Sequence, residues 1–244
     1  IFANNHVSTL NLWSPFFGIF EKNSSQAPII TAKSALIYDL FSEKVLFSKN
    51  PKKKLPMASL TKIMTAIVAI ESARQDDKYL VFSEDLVGEN SMGLTVGETL
   101  TLKELLYGLI LTSGNDAAET LASNFEGGRE KFVEGMNSKA KSLGLTKTHF
   151  TNPTGLEGDG RQYTTVYDLL VITKYAMQFP LFRKVAMTFD YHIPYSENHK
   201  AFYLQNQTNL LTSYPGVFGV KDGYTPEAGL CLVTYLEYKE HKII

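Results

Sequence analysis

The stretch "GVFGVKDGYTPEAGLCLVTYLEY", residues 216–238, brings strand character back after a long helical middle. Residues 217–223 and 228–238 read as two strands, and Pro226 and Gly229 mark the connection between them. Working outward to the other end, "SALIYDLFSEKVLFSKN" (34–50) gives β-rich runs at 34–40 and 44–48 around a polar turn, which is a hairpin signal. From Met57 the period changes: Ile63, Ala66, Ile67 and Ile70 recur at helical spacing on a strongly amphipathic helix. Further helices are expected near 101–111, 116–125, 129–143 and 165–178. Strands thus stand at both ends and helices fill the middle. The expectation is an α/β (α+β) domain whose N- and C-terminal strands share one antiparallel sheet, with a helical insert beside it.

Residues 1–33 alternate short apolar patches such as "LWSPFFGIF" with polar filler and hold no sustained period. They read as a leader or linker, and 34–244 as the main domain. The chain starts without Met and stops at "EYKEHKII", inside what reads as a strand, so both ends read as cut.

With 24 basic and 25 acidic residues the net charge is −1, which offers no basic excess for nucleic acid. No apolar run approaches the roughly 20 residues of a membrane-spanning helix. The single cysteine, Cys231, cannot form an internal disulfide, and its alternating strand suggests a small buried hydrophobe. His6, His149, His192, His199 and His241 are scattered without ligand spacing, so no metal site is expected. Lys52-Lys53-Lys54 reads as a solvated turn, and Asn152-Pro153-Thr154-Gly155 as turn chemistry.

Three short motifs could carry chemistry. In "PMASLTKIMTAIVAIE", Ser59 and Lys62 stand three apart at the start of a helix, on one face. A serine hydroxyl is a poor nucleophile until a base takes its proton. A lysine one turn away is such a base if burial and nearby cations keep it neutral. The helix N-terminus would favour a developing oxyanion. Serine and lysine also meet at this spacing by chance. In "LILTSGNDAAETLA", Ser113-Gly114-Asn115-Asp116 links two helices, and plain capping explains the same residues. In the opening stretch, Gly223 on a strand permits close approach of another backbone or a ligand, and Lys221 adds positive charge beside it.

Together the three follow the order S-x-x-K, S-x-N, K-x-G on a helix, an inter-helix turn and a terminal strand. With "SMGLTVGETLTLKELLYGLILTSGNDAAETLA", "FVEGMNSKAKSLGLTKTHFTNPTGL" and "YTTVYDLLVITKYAM", the chain from about Ser34 onward resembles the low-molecular-mass penicillin-binding proteins that act as D-alanyl-D-alanine carboxypeptidases. The resemblance implies the penicillin-binding, serine β-lactamase-like fold, with helices on both sides of the sheet. It implies Ser59 as the nucleophile on the bond between two D-alanines of a peptidoglycan pentapeptide, Lys62 as general base and Ser113 as proton relay. Asn115 would orient the substrate amide, Lys221 would draw its terminal carboxylate, and the backbone N–H groups of Ser59 and Tyr224 would form the oxyanion hole. No cofactor is implied. β-Lactams would acylate Ser59. The setting implied is extracytoplasmic, in the periplasm or on the outer face of the membrane, with peripheral anchoring through segments outside this chain.

Two rivals stand beside this reading. A class A β-lactamase carries S-D-N where this chain has Ser113-Gly114-Asn115. A weakly active peptidoglycan-binding homologue is suggested by Asp222, because the family normally has threonine or serine there to help bind the substrate carboxylate. An ionised Asp222 would repel that carboxylate by about 1 kcal/mol at 4 Å in water and about 4 in a partly shielded site. It escapes this if it turns away, pairs with a cation or is protonated.

Overall fold

A computed structural model describes residues 27–74, 77–158 and 160–244. The chain divides into two units between Lys33 and Ser34, and most of the expected leader or linker, residues 1–33, lies outside the described residues. The second unit contains the elements that follow.

Strands β1 (Ala35–Asp39) and β2 (Lys44–Lys49) form the expected hairpin. The C-terminal pair is β7 (Val217–Thr225) and β8 (Gly229–Tyr238), joined through the Pro226–Gly229 turn. One strand was not legible as such. "EYKEHKII" is not the end of a single strand but a hairpin: Lys239 takes a left-handed φ of 53° and the chain returns as β9 (His241–Ile243). A Lys-Glu turn carries none of the Gly or Asn signals that mark tight hairpins. β9 is the strand that joins the two ends of the sequence. The sheet order is β2-β1-β9-β8-β7, and every pairing within it is antiparallel. Tyr38 N–H donates to the Ile244 carbonyl at 2.8 Å, and Ile244 N–H returns to the Tyr38 carbonyl at 3.0 Å.

Between the two ends run α1 (Thr61–Ser72), α2 (Leu102–Leu111), α3 (Asn115–Ser123), α4 (Gly128–Ser142) and α5 (Val166–Ala176), all near their expected places. The sequence reading passed over a short helix α6 (Pro180–Ala186), opened by a proline at its first turn where a missing N–H costs nothing. It also passed over two small hairpins, β3 (Lys78–Leu80) with β4 (Thr99–Thr101) and β5 (Asp190–Ile193) with β6 (Phe202–Gln205). A one-turn helix, α7 (Leu210–Ser213), leads into β7. None of the described helices is long and apolar enough to cross a membrane.

Helix α1 departs from the amphipathic reading. Every residue from Thr61 to Ala69 is buried, because α2, α3, α4 and α5 all pack around it. A helix buried on all sides must satisfy its polar residues internally. Thr61 Oγ1 donates to the Ala58 carbonyl and Thr65 Oγ1 to the Pro153 carbonyl. Lys62 is the third such residue, and its partners make the site. The short 3₁₀ turn Ala58–Leu60 that precedes α1 packs against β7, while α5 packs on β1 and α6 on β7.

Candidate active site

The site is the seam where the first turn of the central helix meets the edge strand of the sheet. Ser59 lies in the 3₁₀ turn, and Gly223 of β7 lies directly across from it. A Cβ added at Gly223 would sit 2.8 Å from the Ser59 nitrogen and 3.2 Å from the Ala58 Cβ. Only the absence of a side chain lets strand and helix start come this close. The close approach read from the sequence is therefore met by the backbone of the candidate nucleophile itself.

Lys62 has no exposed surface. Its Nζ lies 3.0 Å from Ser59 Oγ, 2.7 Å from Asn115 Oδ1 and 2.6 Å from the Thr154 carbonyl. Burial drives its pKa well below the ordinary lysine range. The positive charge of Lys221 pushes the same way, against the carboxylates of Asp116, Glu119 and Asp222. A neutral amine has two protons and one lone pair. Two fixed carbonyl acceptors, Asn115 Oδ1 and Thr154 O, take the protons and leave the lone pair for the Ser59 hydroxyl. This arrangement can accept the hydroxyl proton as the oxygen attacks.

Ser113 is buried, with a left-handed φ of 57°. Its hydroxyl has no hydrogen-bond partner among the described residues. A buried orphan hydroxyl is costly and asks for an explanation, and a group that engages only when a ligand arrives is one. Asn115 is tied on both sides of its amide: Oδ1 accepts from Lys62, and Nδ2 donates to the Glu89 carbonyl. Lys221 is buried to the tip, and Asp222 Oδ1 accepts from its Nζ at 2.9 Å. Burial lowers the Lys221 pKa and Asp222 opposes that shift. Of the three escapes open to Asp222, the structure takes the cation pair. Tyr224 follows on the same strand with an exposed side chain.

Ser59, Lys62 and Asn115 are thus joined by direct bonds, Gly223 abuts Ser59, and Lys221 with Asp222 forms a separate pair. Cys231 is half-buried rather than buried, since β8 alternates between partly covered and open positions at this end.

The family model for D-alanyl-D-alanine carboxypeptidases matches residues 21–244. A carboxypeptidase of that name from Bacillus subtilis is 39% identical over 210 residues, 82% of this chain and 53% of the relative. One from Mycobacterium tuberculosis is 38% identical over 199 residues, 81% of this chain and 67% of the relative. Among solved structures, a Streptomyces DD-transpeptidase superposes with a TM-score of 0.83 at 31% identity, covering 89% of each chain. The chain belongs to the D-alanyl-D-alanine carboxypeptidase family. It spans about half the length of the Bacillus relative.

Within this family member, two groups that the sequence reading left structural turn out to hold the site together. The Asn152-Pro153-Thr154-Gly155 turn supplies two carbonyls to α1, Pro153 to Thr65 and Thr154 to Lys62. Asn152 Oδ1 fixes the turn by accepting from the Thr154 and Gly155 N–H groups, the Thr154 hydroxyl and Gln162 Nε2. The residue types signalled a turn, but no side-chain pattern announces which carbonyl will face a lysine. The second group is Asp116. Its carboxylate accepts from the backbone N–H of Met92, Gly93, Leu94 and Ala117 and from the Ser91 hydroxyl. It pins the 91–94 loop beside the Ser113–Asn115 turn. A Cβ on Gly114 would lie 2.8 Å from Asp116 Oδ1 and 3.2 Å from the Gly108 carbonyl and Met92 nitrogen. An aspartate at Gly114, as in the S-D-N motif of the class A rival, would crowd Asp116 and the loop it holds.

Proposed function

We propose that this chain is the catalytic domain of a serine-type D-alanyl-D-alanine carboxypeptidase that removes the terminal D-alanine of peptidoglycan stem peptides. The observation that carries the proposal is the buried Lys62 amine, held 3.0 Å from Ser59 Oγ by two carbonyl acceptors. Ser59 Oγ attacks the carbonyl carbon between the two D-alanines while its proton passes to Lys62 Nζ. The oxyanion that forms is held by the backbone N–H groups of Ser59 and Tyr224. The orphan hydroxyl of Ser113 passes the proton to the leaving amine, D-alanine departs, and an ester to Ser59 remains. Water then cleaves the ester and restores the hydroxyl. Lys221 draws the terminal carboxylate of the substrate, and Asn115 orients its amide once its own partners yield.

β-Lactams enter the same path as covalent inhibitors of Ser59. The place of action is outside the cytoplasm, where the polymer lies. Peripheral membrane attachment through sequence outside residues 1–244 belongs to the same proposal and is checked by fractionating the full-length gene product.

The test is labelling with a fluorescent penicillin, mapped by peptide mass, beside an assay of D-alanine released from a pentapeptide. Label on Ser59 together with D-alanine release is the expected result. Rapid drug hydrolysis with loss of label would point to the β-lactamase. Absence of both label and release would leave a peptidoglycan-binding homologue, the reading that Asp222 favours.

A further inference from the structure

The Lys221–Asp222 pair carries an inference about what the site prefers to release. Lys221 has no exposed side-chain surface, whereas Asp222 keeps 34% of its side chain open. The pair therefore meets an incoming ligand through its carboxylate. Asp222 Oδ1 is the one acceptor of Lys221 Nζ, and Oδ2 takes no hydrogen bond, among the described residues. Gly223, the next residue, stands against the Ser59 backbone, so Asp222 is one residue from the candidate nucleophile; with Lys221 drawing the terminal carboxylate, as proposed above, Asp222 borders the leaving group.

We propose that Asp222 is a specificity-determining residue that favours acyl donors whose leaving group ends in a neutral hydrogen-bond donor, such as a carboxamide, over those ending in a free carboxylate. The inference rests on the carboxypeptidase reading of the site. A free carboxylate that reaches the Lys221 ammonium must share it with Asp222 and sit beside a like charge. A carboxamide has an N–H to give to the open Oδ2 and brings no charge. Discrimination of this kind comes as much from what a site repels as from what it attracts. A built-in carboxylate on the binding cation is such a repulsive element.

The experiment uses two donors, diacetyl-L-Lys-D-Ala-D-Ala and the same peptide as its C-terminal carboxamide. The carboxylate-to-carboxamide ratio of kcat/KM is measured for the wild type, Asp222→Thr and Asp222→Asn. The expected result is a ratio at least tenfold higher in both variants, with most of the change in KM for the carboxylate donor. Labelling of Ser59 by penicillin is followed in parallel. Label in all three proteins with an unchanged or lowered ratio overturns this inference alone. A wild type that neither takes label nor turns over either donor overturns the carboxypeptidase reading and this inference with it.

Discussion

The side chain on which the proposed chemistry turns is Lys62. Lys62 is buried with no carboxylate bonded to it among the described residues; as a cation it would be destabilising, so the fold holds it towards the neutral form. Lys62→Ala and Ser59→Ala should each abolish penicillin labelling. Lys62→Arg should fail as completely, since a guanidinium stays charged and cannot accept the hydroxyl proton. Base catalysis by a positioned side chain is worth about 10²–10⁴-fold in rate, so Ser59 acylation in either Lys62 variant should slow by at least that much and leave no label within the labelling time. The neighbours fix the sign of the pH dependence. Because the charge on Lys221 helps to depress the Lys62 pKa, Lys221→Met should raise it and also leave Asp222 unpaired, which pushes the same way. The acid limb of the acylation profile should then move to higher pH. Stopped-flow measurement of Ser59 acylation across pH checks this, and an unmoved or lowered limb would remove Lys221 from that role.

At the scale of elements, the site depends on close backbone approaches that tolerate no added carbon. Gly155 has φ of +90°, and a Cβ there would lie 2.0 Å from the Ala58 carbonyl. Gly155→Ala should lose about 2–4 kcal/mol of stability, from strain at a left-handed position together with overpacking, read as a lower urea midpoint at constant slope. Asp116→Ala strips the acceptor from four backbone N–H groups and a hydroxyl. A loss of at least about 3 kcal/mol is expected, since hydrogen bonds to a charged group each contribute about 1.5–3 and the freed loop regains water for only part of them. An exposed and protease-sensitive 88–94 loop should accompany it. These elements also show what a sequence can and cannot disclose. The Ser59/Lys62 pair was legible because i and i+3 share a helix face whatever the tertiary fold. Gly223 was legible because a glycine within a strand run has few other uses. The Thr154 carbonyl was not, because every residue has one and only packing selects which is used. The burial of α1 on all sides was also hidden, since four helices supply its surroundings and only one of them follows it directly.

For the whole molecule, the decisive connection is β9, which stitches the C-terminal hairpin to β1. A polar cluster sits at that stitch. Asp39 on β1 accepts from Ser42 Oγ and the Phe41 N–H and pairs with His241 of β9 at 2.9 Å. Burial works against its charge, but those bonds outweigh it and hold the carboxyl down at about 2. A carboxyl held below its unfolded value near 4 stabilises the fold above that value, and the contribution fades as pH falls from about 4 through 2. Asp39→Asn should therefore cost stability at pH 7 and much less near pH 2, a narrowing that urea melts at the two pH values would show. A constant gap would place the effect in packing instead of charge. The general shape, strands from both ends around a helical middle, followed from periodicity alone; the join between those ends did not, because a three-residue strand after a Lys-Glu turn has no pattern of its own. The sheet matters to function because it presents β7, and with it Lys221 and Gly223, to the start of α1. The claim that this assembly makes Lys62 a neutral base for Ser59 is tested most directly by the rate of Ser59 acylation by benzylpenicillin as a function of pH. The rate should rise with loss of a single proton at a pH well below the ordinary lysine value of 10.5 and then level off; a rate still climbing through 10.5 would contradict it.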